Sequence, residues 1–229
     1  MTESPPPSAS EPLLPAAGWT ARRLVLAAAV LMVFAAAALP LDLAAARFVQ
    51  AHRLTGDLRR IVTLAEVFGW GGTIALIILT AVVLDPRGWR VAPRLAIGSL
   101  AAGLAADGLK LLGVARWRPA PALEAGLNQT FVGWLPLWRH DPALGAYDSR
   151  LQSFPSGHAA NAVGLAIALA VLYPRGRWLF AAFAVLACLQ RVEGLAHFPS
   201  DVLVGAAIGC LASAICAGPL HRRLTALEQ

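Results

Sequence analysis

The chain has 229 residues, of which 58% are hydrophobic and 14% charged, whereas a soluble domain carries about 25% charged residues. The apolar residues gather in runs of about 20, each long enough to cross a hydrocarbon core of about 30 Å. A soluble globular protein is thereby excluded, and an all-α polytopic membrane bundle of about six transmembrane helices is predicted. The net charge of +6 does not point to nucleic acid. Lys110 is the single lysine among 19 basic residues, and the arginines cluster at the ends of apolar runs, as at a membrane–water boundary.

Residues 1–19 are rich in Pro, Ser and Glu, show no helical period and read as a disordered tail. No basic stretch precedes a short apolar core with a cleavage site, so no cleaved signal peptide is expected. Residues 20–224 are expected to form one membrane domain, with an interfacial loop at about 115–155 and a C-terminal tail at 225–229.

The first span is predicted from Leu24 to Leu41, and the second from Ile61 to Leu84 with Gly69, Gly71 and Gly72 inside it. A third covers Pro93 to about Gly113, and a fourth starts near Ser156 and stops before Pro174. The fifth runs from Trp178 to about Leu195 and the sixth from about Ser200 to Gly218. At 1.5 Å rise per residue the shorter spans reach roughly 27 Å. Cys188, Cys210 and Cys216 all fall inside spans and read as filler rather than a disulfide framework. The Gly205/Gly209 pair suits close helix packing in lipid, and the Asn128 sequon carries no assigned role.

Arg22 and Arg23, Arg87 and Arg90, Arg175 and Arg177, and Arg222 and Arg223 mark one side of the bundle, against Arg47, Arg53, Arg59 and Arg60 on the other. The first set predicts cytoplasmic termini.

Ionisable residues at membrane depth or its edge are costly, so each is a functional candidate. In a serpentine bundle the ends of odd spans and the starts of even spans share one face. Lys110, Arg118, His158, Arg191, His197 and Asp201 all fall on that face, and so does Glu66, which takes no assigned role. Lys110, Arg118 and Arg191 supply cations that suit phosphate oxygens. Ser156-Gly157-His158 opens a helix, whose free N–H groups and dipole favour an anion, and Gly157 permits close backbone approach. His197 and Asp201 stand four residues apart, on one side of a helix start. A carboxylate on one ring nitrogen would fix the tautomer and free the other nitrogen to attack phosphorus. His158 could protonate the departing oxygen. The cations would offset transition-state charge, so neither metal nor cofactor is called for.

These residues resemble the type-2 phosphatidic acid phosphatase superfamily, which joins lipid phosphatases with vanadium-dependent haloperoxidases. The likeness rests on Lys110 followed by Arg118-Pro119, on Pro155-Ser156-Gly157-His158, and on Arg191 with His197 and Asp201 at the family spacing. It implies a six-helix membrane core in a bacterial inner membrane, with the site on the extracytoplasmic face. It also implies His197 as a nucleophile forming a phosphohistidine, Asp201 orienting it and His158 as general acid. Lys110, Arg118, Ser156, Gly157 and Arg191 would hold the phosphate. Two departures stand out. Seven residues separate Lys110 from Arg118, one more than the family pattern, which turns Lys110 by about 100° unless a bulge absorbs it and leaves Arg116 and Arg118 as alternatives. Gln190 stands where serine is usual.

The expected activity is hydrolysis of a phosphate monoester or diphosphate of a membrane lipid. Within the resembled family, undecaprenyl pyrophosphate, phosphatidate-like phospholipids and the phosphates of lipid A all fit; a bacterial polyprenyl or phospholipid substrate is expected, with lipid A as the alternative. The alternatives are a vanadate peroxidase, disfavoured by the spans, and a non-hydrolytic membrane protein that binds or transports an anion. The expected partners are the bilayer and its lipid substrate, without nucleic acid, and the oligomeric state is left open. Trp134, Leu135, Leu137 and Trp138 in the long connection suggest a lid, a lipid entry or a simple interfacial anchor.

Overall fold

A computed structural model describes residues 21–135 and 148–217. The tails at 1–19 and 225–229, Arg222, Arg223, Leu137 and Trp138 lie outside the described residues. Helix α1 (Ala21–Ala38) passes through a 3-10 turn at Leu39–Leu41, which holds Pro40, into α2 (Asp42–Ala51). Helix α3 (Gly56–Leu64) continues as a 3-10 turn at Ala65–Phe68 and is followed by α4 (Gly71–Leu84). Next come α5 (Ala92–Leu112), strand β1 (Val114–Arg116), α6 (Pro119–Glu124) and strand β2 (Phe131–Trp134). Helices α7 (Gly157–Leu172), α8 (Arg177–Glu193) and α9 (Pro199–Ala217) complete the bundle.

The bundle is helical and polytopic, as the apolar runs predict, and among the described residues the interfacial connection holds one antiparallel strand pair, β1 with β2. Ala21–Ala51, Gly88–Leu112 and Pro199–Ala217 are each long and apolar enough to cross a membrane. The expected second span is instead broken: Gly56–Phe68 and Gly71–Leu84 meet at 72°, and together count as a fourth. The glycines at 69, 71 and 72 withdraw helix propensity where Trp70 turns extended (ψ 129°). Thr73 Oγ1 donates to the Trp70 carbonyl (2.9 Å) and contacts that of Val67, carbonyls near the break.

Helices α7 and α8, at 16 and 17 residues, are shorter than the run of about 20 that lipid demands. Helix α7 is the buried axis of the fold, packed by α5, α8 and α9. Protein rather than lipid surrounds it, so its length need not match the bilayer. Leu95, Leu165, Ile74 and Phe68 form the core between α4, α5, α7 and the 3-10 turn, while α1 lies against α9 around Leu24, Ala28, Ala207 and Cys210. The outward faces carry Val30, Val33 and Phe34 on α1 and Leu76, Leu79 and Val83 on α4, all exposed. Such a belt is stable where hydrocarbon covers it.

Close packing depends on absent side chains. A Cβ on Gly205 would collide with the Ser156 carbonyl, and one on Gly209 would stand 2.7 Å from the Ala160 carbonyl, so α9 can approach the first turns of α7. The three cysteines are free thiols.

The connections fall on two faces, as a serpentine path requires. At one end, Asp85 accepts from Arg87 N (2.8 Å) and from Tyr173 Oη (2.8 Å). The connection after α4 is thereby tied to the one after α7. The polar candidates gather at the opposite end.

Candidate active site

The end of α5, the start of α6, the start of α7, the end of α8 and the first turn of α9 meet at that second face. His197 sits in the turn between α8 and α9 and is 2% exposed. Its Nδ1 donates to the Ser153 carbonyl oxygen at 2.6 Å, which fixes the proton on Nδ1 and leaves a lone pair on Nε2. Nε2 has no hydrogen bond among the described residues. Burial, with the charges of Arg118, Lys110 and Arg191, holds the ring's pKa well below the usual histidine value, against the opposing pull of the Ser153 bond. A neutral imidazole with a free Nε2, surrounded by cations, is a nucleophile suited to an anionic electrophile.

Asp201 does not hold the His197 ring directly, contrary to the expectation from their spacing. Its carboxylate accepts from Ser153 Oγ (2.5 Å) and from Phe198 N (2.8 Å), and it pairs with Arg116 (2.5 Å). The carbonyl of the same Ser153 then carries His197. The physical reason is competition: a buried guanidinium, a hydroxyl and a backbone N–H satisfy the carboxylate, and the histidine takes the nearest backbone oxygen. Ser153 thus links Asp201 to His197, by its hydroxyl on one side and its carbonyl on the other.

Arg116 and Arg118 have opposite fates. Arg116 is 1% exposed and bonds Thr130 Oγ1 (3.1 Å), Ser200 Oγ (2.8 Å), Asp201 and, at 2.6 Å, Asp42. Its guanidinium lies 4.5 Å from the Phe131 ring centroid and 4.3 Å from that of Phe198. Arg118, the residue before α6, carries a buried Nε with no partner among the described residues. Burial and the neighbouring Arg191 lower its pKa while Asp201 raises it. A guanidinium stays charged regardless, so its unused donors are available to an anion.

Lys110 points to the same place despite the longer spacing. Its Nζ is 2.8 Å from Asp107 Oδ1, one turn earlier, and would stand 3.3 Å from a Cβ on Gly157. The extra residue is absorbed beyond the helix: Gly113 leaves helical geometry (φ −105°, ψ −92°), and the β1–β2 register shifts between Ala115 and Arg116. A Cβ on Gly157 would also stand 3.0 Å from Asp107 Oδ1, so both side-chain ends would have to give by a few tenths of an ångström to admit one.

Ser156 is the N-cap of α7. Its Oγ accepts from Ala159 N at 3.4 Å, and its own N–H donates to the Asp201 carbonyl oxygen at 3.0 Å. Its hydroxyl serves the helix, and its backbone serves α9. The N–H groups of Gly157 and His158 take no partner among the described residues, which leaves the anion-binding donors one residue later than the hydroxyl. His158 Nε2 is buried without a hydrogen bond and lies 3.6 Å from Glu66 Oε1. Arg191, at the end of α8, pairs with the same Glu66 Oε1 at 2.6 Å, and its Nε donates to Gln190 Oε1 at 2.5 Å.

Sequence reasoning left out Asp42 and Ser153 and assigned Glu66 no role. Asp42 carried a usable signal, as a carboxylate at the foot of an apolar span. Ser153 acts through its carbonyl, which no residue type announces. Among the described residues no group of three His, Cys, Asp or Glu side chains could hold a metal ion.

Comparison with known proteins places these features in context. Two lipid A 1-phosphatases are similar in part: the one from Rhizobium johnstonii is 42% identical over 69 residues, which is 30% of this chain and 28% of that protein. The one from Rhizobium etli is 45% identical over 58 residues, 25% of each chain. The matched stretch therefore spans little more than a quarter of these relatives. The fold resembles the crystal structure of a transmembrane PAP2-type phosphatidylglycerolphosphate phosphatase from Bacillus subtilis, with a TM-score of 0.57 at 18% identity over 90% of this chain and 98% of that one. The PAP2 superfamily profile matches residues 94–223, more than half of the chain and all of the clustered residues except Glu66 and Asp42, and the chain belongs to the PAP2 superfamily.

Proposed function

We propose that this integral membrane protein is a lipid phosphatase that works through a phosphohistidine on His197, with residues 20–224 as its catalytic domain. The observation that carries the proposal is the free Nε2 of a neutral, buried His197 among Arg118, Lys110 and Arg191. In the first step Nε2 attacks phosphorus and the bond from phosphorus to the lipid oxygen breaks. His158 gives that oxygen its proton. In the second step His158, now neutral, takes a proton from water, whose oxygen attacks the phosphorus and breaks the P–N bond. Inorganic phosphate leaves and His197 returns to its resting state. The cations and the N–H groups of Gly157 and His158 are placed for charge on the transferring group.

The substrate is taken to be a phosphate or diphosphate on a bilayer lipid, because the site lies where helix ends meet the interface. Similarity to two lipid A 1-phosphatases favours a lipid A phosphate as the first substrate to test, ahead of polyprenyl pyrophosphate and phospholipid phosphates. The site is assigned to the extracytoplasmic face of a bacterial inner membrane, on the support of the arginine-marked connections at the opposite end. The break between α3 and α4 lies level with the first turn of α7, since Gly69 packs on the His158 backbone. It is therefore near the bundle's end rather than its midplane, which disfavours a transport pathway.

The test is phosphate release by purified protein in detergent, across lipid A, polyprenyl pyrophosphate and phospholipid phosphates, beside His197→Ala. Turnover that disappears in His197→Ala, with a phosphohistidine trapped after alkaline quench, is expected. A folded protein that binds vanadate but releases no phosphate from any of them would establish an anion-binding protein instead.

A further inference from the structure

The proposed mechanism asks His158 to carry a proton, yet positive charge surrounds it. Burial acts most strongly against a charged ring, Arg191, Lys110 and Arg118 act in the same sense, and Glu66 supplies the opposing negative charge. Glu66 lies on the 3-10 turn Ala65–Phe68, outside residues 94–223 that the PAP2 profile covers. Its carboxylate is held from the far side: Oε1 pairs with Arg191 at 2.6 Å, and Oε2 accepts from Gln190 Nε2 at 3.3 Å. Gln190 in turn accepts from Arg191 Nε, which closes a ring of three side chains. A serine at position 190 would be too short to span these partners. The backbone beneath is docked as well, because Asn161 Nδ2 donates to the Gly69 carbonyl at 3.2 Å and Gly69 packs on His158.

From this arrangement we infer that Glu66 is a positioning residue for proton donation, facing His158 Nε2 so that Nδ1 is left for the leaving oxygen. The buried, unpartnered Nε2 at 3.6 Å from Glu66 Oε1 is the group that this carboxylate would complete. When the ring is protonated, Nε2–H closes on Glu66 as a charge-assisted hydrogen bond. After Nδ1 gives its proton to the leaving oxygen, the ring is neutral and keeps the Nε2 proton toward Glu66, so Nδ1 can accept the proton of the attacking water. His197 is bonded to a neutral carbonyl, whereas His158 faces a carboxylate that offsets part of the effect of burial and of the surrounding cations when the ring is protonated. Two histidines in one site are thus given different duties by their partners.

This inference rests on the phosphatase reading, and its test separates the two. Wild type, Glu66→Gln and Glu66→Asp are assayed on p-nitrophenyl phosphate, whose leaving group needs little protonation, and on a short-chain alkyl phosphate, whose leaving group needs it. Glu66→Gln is expected to lower kcat about 10- to 100-fold on the alkyl phosphate, a part of the roughly 100- to 10,000-fold that a general acid contributes. It should change kcat on p-nitrophenyl phosphate by no more than about threefold, and Glu66→Asp should recover part of the loss. Equal loss on both substrates, or no loss on either, overturns the role given to Glu66 while leaving the phosphatase intact. A wild type that hydrolyses neither substrate nor any lipid phosphate overturns the phosphatase reading itself, and the role of Glu66 falls with it.

Discussion

Two arginines separated by one residue offer the sharpest test of how this site is built. Arg116→Met removes a guanidinium that pairs with Asp42 at 2.6 Å and Asp201 at 2.5 Å, both carboxylates at most 1% exposed. The deletion leaves two buried carboxylates without a counter-ion and takes away the donors to Thr130 Oγ1 and Ser200 Oγ, the latter still bonded to Asp42. Removing one partner of a buried ion pair costs about 3–5 kcal/mol, and here one cation serves two carboxylates. Asp42→Asn leaves Arg116 paired one-to-one with Asp201, so its cost should be smaller, about 1–3 kcal/mol. Arg118→Met removes a cation whose buried Nε has no partner, and should cost no stability. Unfolding in detergent, followed by tryptophan fluorescence, should rank Arg116→Met well below Asp42→Asn, with Arg118→Met at or above wild type. Phosphatase activity should order them differently, with Arg118→Met folded and at least about 100-fold impaired, as expected when a transition-state charge partner is removed. A folded Arg116→Met of wild-type stability would refute the separation of structural from phosphate-facing arginine.

Three further outcomes are expected. The folded-state pKa of His197 lies below its unfolded value of about 6.5, so the unfolded chain binds the extra proton as pH falls below that value and stability declines; His197→Gln should flatten this acid-side slope in melts between pH 7 and 5. Gly205→Leu drives a side chain into the Ser156 carbonyl and should abolish folded protein on size-exclusion chromatography, whereas Gly108→Ala, with open space around its missing Cβ, should fold normally. Tyr173→Phe removes the hydrogen bond to Asp85 at the end of the bundle opposite the site, and should cost about 1–1.5 kcal/mol of stability with kcat unchanged.

Much of this architecture was legible in the chain. The apolar runs predict the helices α1, α5, α7, α8 and α9 to within a few residues, because polar and proline-bearing connections bound each run. The serpentine face rule puts Lys110, Arg118, His158, Arg191, His197 and Asp201 on one face from the sequence alone. What it missed depends on interactions that carry no residue signature. The 72° break at Gly69–Trp70 left the apolar pattern of a single span intact, since hydropathy does not register direction. Asp42 is the exception, since a carboxylate at the foot of an apolar span is itself a signal, but only the fold supplies its partner, Arg116.

The link between Asp201 and His197 shows most directly how spacing can suggest the wrong contact. Four residues at a helix start put two side chains on one side, and a carboxylate beside an imidazole suggests a direct bond. That inference assumes the carboxylate is otherwise unoccupied. Asp201 is occupied, by Arg116, by Ser153 Oγ and by Phe198 N, and each of those partners would be left buried and unsatisfied if it turned to the ring. The histidine therefore takes the Ser153 carbonyl, whose position the same carboxylate sets through the Ser153 hydroxyl. Ser153→Ala keeps that carbonyl and cuts its tie to Asp201, so it separates the two schemes. If Asp201 acts through Ser153, the alanine variant should lose about tenfold in kcat, equivalent to about 1.4 kcal/mol at the transition state, with KM nearly unchanged. If Asp201 instead held His197 directly during turnover, Ser153→Ala would leave kcat at the wild-type value while Asp201→Asn abolished it.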